Sequence, residues 1–228
     1  MHQLGTAKSL AKRYLIFILG LFVNSLGVSL ITKASLGTSP ISSIPYVLSL
    51  NFPLSLGMFT VLFSLLLILL QLMILGRNFQ LEHLLQIPVS FAFGYFIDAC
   101  MALLTFLQPA GYHLQLLSLA AGCLVLGIGV YMEVLADVVM LPGESFVRAV
   151  VSRTKIEFGL GKILFDAGMS ATVALLSLLF AGALDGVREG TIIAALLVGF
   201  IARQLGSRLS WLPGTLFPRS DAQPAEET

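Results

Sequence analysis

Six long apolar runs, at about 14–32, 55–75, 81–107, 114–136, 159–181 and 191–212, constrain this chain more than any other feature. About 20 residues of α-helix cross a hydrocarbon core some 30 Å thick, and each run is long enough to do so. In lipid a backbone N–H or C=O finds no water, so each segment must satisfy its own hydrogen bonds, and helices are expected. Hydrophobic residues make up 57% and charged residues 11%, where a soluble domain carries about 25% charge. The net charge of +1 offers no basic footprint for nucleic acid. The first run is too long for the core of a cleavable leader and has no small-residue cleavage motif behind it.

The longest polar interruption in the first half is Lys33-Ala-Ser-Leu-Gly-Thr-Ser-Pro40-Ile-Ser-Ser-Ile-Pro45. Pro40 suits the first position of a helix, because its φ is already helical and it has no N–H to lose. Ser39 is placed to cap that helix, with Thr38 beside it. The spacing predicts a helix over 40–51, only about 18 Å long at 1.5 Å per residue, too short to span. A short helix with a polar start beside a span reads as a broken or re-entrant element, tolerated at membrane depth only inside protein or along a watery cavity. Two ordinary surface loops carrying amphipathic helices would leave the same trace.

The halves on either side of residue 110 echo one another. Leu26-Gly-Val-Ser-Leu pairs with Leu126-Gly-Ile-Gly-Val, and Pro40 with Pro142. Ser55-Leu-Gly-Met-Phe pairs with Gly159-Leu-Gly-Lys-Ile, and Gly94-Tyr-Phe-Ile-Asp98 with Gly199-Phe-Ile-Ala-Arg203. The offsets are 100, 102, 104 and 105 residues in that order, as in an internal repeat. If the N-terminus is cytoplasmic, six spans put every lysine and arginine except Lys33 and Arg188 on or near the inside, as the positive-inside rule asks. Three spans per repeat then invert the second half. The expected fold is all-α and polytopic, with six transmembrane helices as a 3+3 inverted repeat. Each repeat holds one short broken or re-entrant helix. A cytoplasmic segment 1–13 precedes repeats at 14–110 and 111–212, which form one membrane domain, and a polar cytoplasmic tail 213–228 follows.

In such architectures substrates sit near the midplane at the N-termini of broken helices. Unpaired N–H groups and the positive dipole end suit a negative group there. The candidate binding residues are Thr38, Ser39, Pro40, Ser42 and Ser43, facing Pro142, Gly143 and Glu144. Glu144 and Arg148 are spaced i, i+4, as an ion pair would be. An ionisable group inside a span costs at least ~2.5–3.5 kcal/mol and so faces the bundle interior. Glu133 and Asp166 lie inside spans and Asp137 opens the second polar break, and the three are candidates for proton or ion coupling. Asp98 and Arg203 hold equivalent places in the two halves and either pair or lie at opposite membrane edges. Pro88 is expected to kink the third span. Cys100 and Cys123 read as small core residues, and the three histidines have no metal-ligand spacing. No catalytic motif stands out, so neither an enzyme nor a cofactor is expected.

The first span with Leu36-Gly-Thr-Ser-Pro40-Ile-Ser42, the Pro142-Gly-Glu144 break, and Gly190-Thr-Ile-Ile-Ala-Ala-Leu-Leu-Val-Gly-Phe200 resemble the YczE/YyaS/YitT group of bacterial membrane proteins. The likeness covers most of 14–205, although Ile41-Ser42 stands where that group tends to carry an aromatic-acid pair. It implies a compact polytopic protein of the bacterial inner membrane and suggests transport. The reading is a secondary transporter that moves a small anionic or zwitterionic solute by alternating access, with proton coupling an option. A substrate-capture subunit of a vitamin importer and a non-transporting membrane factor are the alternatives. Expected partners are the solute and the bilayer, with a homodimer left open.

Overall fold

A computed structural model describes residues 2–181, 188–209 and 211–216. Among them the chain is entirely helical: α1 His2–Lys33, α2 Pro40–Asn51, α3 Leu56–Leu75, α4 Gln86–Leu103, α5 Tyr112–Ala136, α6 Pro142–Thr154, α7 Phe158–Ala181, α8 Glu189–Arg208 and a short α9 Leu212–Leu216. Six segments are long and apolar enough to cross a membrane: Leu10–Lys33, Leu56–Asn78, His83–Leu103, Tyr112–Ala136, Phe158–Leu179 and Glu189–Arg208. The molecule is a multi-pass membrane protein. Of the expected turn at 185–190 only 188–190 fall among the described residues, and of the expected tail only 213–216.

The central pair is α1 and α5, packed antiparallel along most of their length. Gly27 lies on Leu126, Gly129 on Asn24 and Gly122 on Ile31. At the end where α1 starts, Arg13 Nη1 donates to the carbonyl of Ala136 at 3.0 Å. Around this pair the contacts recur when the halves are exchanged: α1 with α4 as α5 with α8, α2 with α3 as α6 with α7, and α3 with α6 as α7 with α2. The exchange fails at one place, because α3 packs along α4 while α7 and α8 make no comparable contact among the described residues. The core joins Leu21, Val28 and Ile31 of α1 to Phe93, Ile97, Leu119, Cys123, Leu126 and Ala194.

Helix α2 begins where the proline placed it, but Ser39 does not cap it. Ser39 has the extended backbone of an N-cap, yet its side chain makes no capping bond and its hydroxyl donates to Ser42 Oγ at 3.0 Å. In both halves the chain leaves the preceding helix through a left-handed residue five positions before the proline: Ser35 at φ 57° and Asp137 at φ 50°. Pro88 does not kink a long helix either. Residues Leu81–Leu85 form a 3-10 turn and α4 starts at Gln86. Pro88 thus sits in the first turn, where a missing N–H costs nothing.

Asp98 and Arg203 form no ion pair among the described residues; both Asp98 oxygens serve the start of α3 instead. Ser55 Oγ donates to one at 2.6 Å and the Gly57 N–H to the other at 2.8 Å. Ser55 itself accepts from the Met58 N–H at 3.1 Å. A carboxylate beside unpaired N–H groups at a positive dipole end is a favourable cap, and its charge strengthens each bond.

Candidate functional site

The site forms where α5 ends and α6 begins. Glu133 stands in the last turn of α5 and accepts a hydrogen bond at 2.9 Å from Nδ2 of Asn24, a buried residue of α1. Asp137 ends α5 in the left-handed conformation, its N–H bonded to the Glu133 carbonyl at 3.2 Å. Five residues later Pro142 opens α6, with Glu144 in the first turn.

The two short helices meet at their starts. Ile41, the second residue of α2, packs against Gly143, the second residue of α6, so closely that any side chain at 143 would displace it. Behind this contact lies a closed polar knot. Gln71 Nε2 donates to the Pro142 carbonyl at 3.0 Å, Ser145 Oγ donates to Gln71 Oε1 at 2.8 Å, and Gln86 Nε2 donates to Ser145 Oγ at 2.9 Å. All three side chains are buried, so α6 is fastened to α3 and α4 by hydrogen bonds whose loss would leave buried polar groups unsatisfied.

In front of the knot lies a cavity of about 550 Å³, within the ~300–1,000 Å³ usual for small-molecule sites. Its polar lining is His83, Gln86, Glu133, Asp137, Glu144, Ser145, Arg148 and Lys162, and its apolar lining includes Val134, Met140, Leu141 and Phe158. It lies at the end of the bundle where α1 starts, since α5 runs antiparallel to α1. Three carboxylates thus face two fixed cations. Lys162 reaches the wall from α7, where Asp166 holds it at 2.8 Å. Among the described residues Glu144 and Arg148 do not form the ion pair that their spacing suggested, and no group donates a hydrogen bond to Glu144. Burial raises its carboxyl above the ordinary value, against the opposing pull of Lys162 and Arg148.

The candidate residues therefore divide. Glu133, Asp137 and Glu144 come together on one cavity. Pro142 and Gly143 lie buried behind its wall. Asp166 is off the wall and engaged with Lys162. Thr38, Ser39, Pro40, Ser42 and Ser43 do not line the cavity; they are buried in a separate cluster of hydroxyls. In that cluster Thr38 Oγ1 bonds Thr32 Oγ1 at 3.2 Å, and Ser43 donates to the Pro40 carbonyl. Sequence reasoning missed Asn24, Gln71, Gln86 and Lys162. Gln71 had a signal, as the lone amide in an apolar run from Leu65 to Leu75. Among the described residues no group of three His, Cys, Asp or Glu side chains is gathered as metal ligands.

Glu144 has a consequence for pH. An unfolded carboxyl ionises near pH 4.3, whereas the folded one holds its proton to higher pH. As pH rises from about 4 the unfolded chain releases this proton first, so folding stability falls through that window. The loss stops once the folded group has ionised too. Glu144→Gln removes the titration. Melting in detergent across pH 4–8 is expected to show a shallower decline for the variant, and parallel curves would exclude this role.

Residues 11–206 match a family described only as a family of unknown function, DUF6198. No curated protein and no solved structure matches the chain.

Proposed function

We propose a transport function for this chain, which belongs to the DUF6198 family of unknown function: a secondary transporter of small zwitterionic solutes, working by alternating access. The observation that carries the reading is the contact of Ile41 with Gly143, which brings the starts of α2 and α6 together beside a charged cavity. Two helix N-termini, each worth about half a positive charge, converge there. The contacts that recur on exchange of the halves support an inverted repeat of three spans each. The mirrored left-handed residues Ser35 and Asp137 support it too. The likeness to the YczE/YyaS/YitT group fits a bacterial inner-membrane protein, and the lysine and arginine distribution favours cytoplasmic termini.

The lining narrows the solute. A simple anion would meet Glu133, Asp137 and Glu144, so a purely anionic cargo suits the cavity poorly. A zwitterion can place its amine toward Glu144 and its acid toward Arg148 and Lys162. Glu133 is the proposed proton carrier, because it sits inside a span and the side chain that donates to it, Asn24, is neutral. The test is uptake of radiolabelled amino acids and betaines into liposomes holding the purified protein, with and without an inward proton gradient. The expected result is accumulation that follows the gradient, and loss of that coupling in Glu133→Gln with solute exchange retained. Absence of both accumulation and exchange for every zwitterion and anion tried would reject transport.

A further inference from the structure

The two halves hold their breaks differently. The first break, at 35–38, is sealed onto the start of α8. The Gly190 N–H donates to the Leu36 carbonyl at 2.9 Å. Arg188 Nη1 donates to the Ser35 carbonyl at 2.9 Å, and the Thr38 N–H donates to Thr191 Oγ1 at 3.3 Å. Gly37 completes the seam. It has φ 109°, a conformation for glycine, and a side chain there would strike Thr191. The second break, at 137–141, is the counterpart by the Ser35–Asp137 and Pro40–Pro142 equivalences. The counterpart of Thr191 is Gln86, by the offset that relates Gly94 to Gly199. Yet, although Gln86 bonds Ser145 of α6 at 2.9 Å, residues 137–141 make no hydrogen bond to the residues that precede α4 among the described residues. The cavity lies between them, with His83 and Gln86 on one side and residues 137–141 on the other.

From this asymmetry, and resting on the transport reading above, we propose that the seam of residues 35–38 on 188–191 is a gate. In the structure that gate is shut while its counterpart, at the end where α1 starts, is open. When the seam parts, the second break closes onto the start of α4. The buried hydroxyls of Thr38, Ser39, Ser42 and Ser43 then become the wall of a cavity facing the opposite membrane side. These residues would thereby serve the solute in the alternate state.

The seam can be wedged. A Cβ on Gly190 would fall against the Leu36 backbone and 2.9 Å from the Leu36 Cβ, so Gly190→Ala prevents closure. Arg188→Gln is the gentler variant and removes the bond to Ser35 together with the exposed 3.4 Å ion pair to Glu189. Two reporters are placed singly in a background carrying Cys100→Ala and Cys123→Ala: Ser42→Cys in the sealed cluster and Val138→Cys on the open cavity. Labelling uses a membrane-impermeant maleimide on vesicles of each orientation. Without a wedge, Val138→Cys is expected to react from the α1-start side and Ser42→Cys to stay silent. With either wedge, Ser42→Cys is expected to react at least tenfold faster from the other side, while Val138→Cys slows. If neither variant speeds Ser42→Cys, or if both reporters speed up together, the gate is overturned. Should Gly190→Ala not fold, Arg188→Gln alone decides. Reciprocal labelling without uptake would retain the gate and reject transport. Uptake with unchanged labelling would do the reverse.

Discussion

Gly27→Leu and Gly129→Leu are each expected to abolish the folded protein. A Cβ at Gly27 would stand 2.5 Å from the Leu126 Cα, and one at Gly129 would strike the Asn24 backbone. Neither neighbour can rotate aside, because it is main chain, so α1 and α5 must separate. In lipid the separated faces lose packing that no hydrophobic effect restores. Overpacking ordinarily costs about 1–3 kcal/mol, and a backbone collision at the central helix pair lies at or beyond the top of that range. Gly168→Leu is the control, since nothing approaches that position within 4 Å. Size-exclusion profiles and thermal unfolding in detergent would read the difference. A well-folded Gly27→Leu protein melting with the parent would show that the α1–α5 contact is not the central one.

The second large effect is expected from Gln71→Leu. This side chain gives hydrogen bonds to the Pro142 carbonyl and Gln86, and takes one from Ser145. Its removal strands buried polar groups on α4 and α6, at about 1–3 kcal/mol for each group left unsatisfied. For a chain of this size 2 kcal/mol corresponds to roughly 4–8 °C in melting temperature. The double variant Gln71→Leu, Gln86→Leu should recover part of the loss, because two partners removed together leave fewer stranded groups than one. Strict additivity of the two single losses would show that the knot is not a unit.

What was legible in the sequence was what local chemistry decides. Proline at 40 and 142 sets the start of α2 and α6 through its own φ, and both helices begin there. The six apolar runs became six segments able to span, with ends shifted by a few residues. Ser39, Asp98 and Arg148 misled for one shared reason. Each has a plausible partner at helical or symmetric spacing, but a side chain bonds whatever the tertiary fold brings near. Ser39 found Ser42, and Asp98 found the start of α3. Arg148 lines the cavity together with Glu144 without a close ion pair between them. The acids at 133, 137 and 144 were legible as a group because they sit within twelve residues, two of them closing one helix and one opening the next. That Lys162 and His83 would face them was not, since those come from segments on either side of the break.

The cap that Asp98 supplies to α3 bears on how the chain enters the membrane during synthesis. Helix α3 emerges from the ribosome before α4, and its first N–H groups then lack the acceptor that α4 will later carry. Asp98 in turn lies within the segment His83–Leu103, where an acid adds to the cost of inserting a solitary segment, by up to about 2.5–3.5 kcal/mol at a helix centre and less toward its ends. Each segment thus offsets a defect in the other. The implication is that α3 and α4 leave the translocon together as a hairpin, with release of the first delayed until the second has been translated.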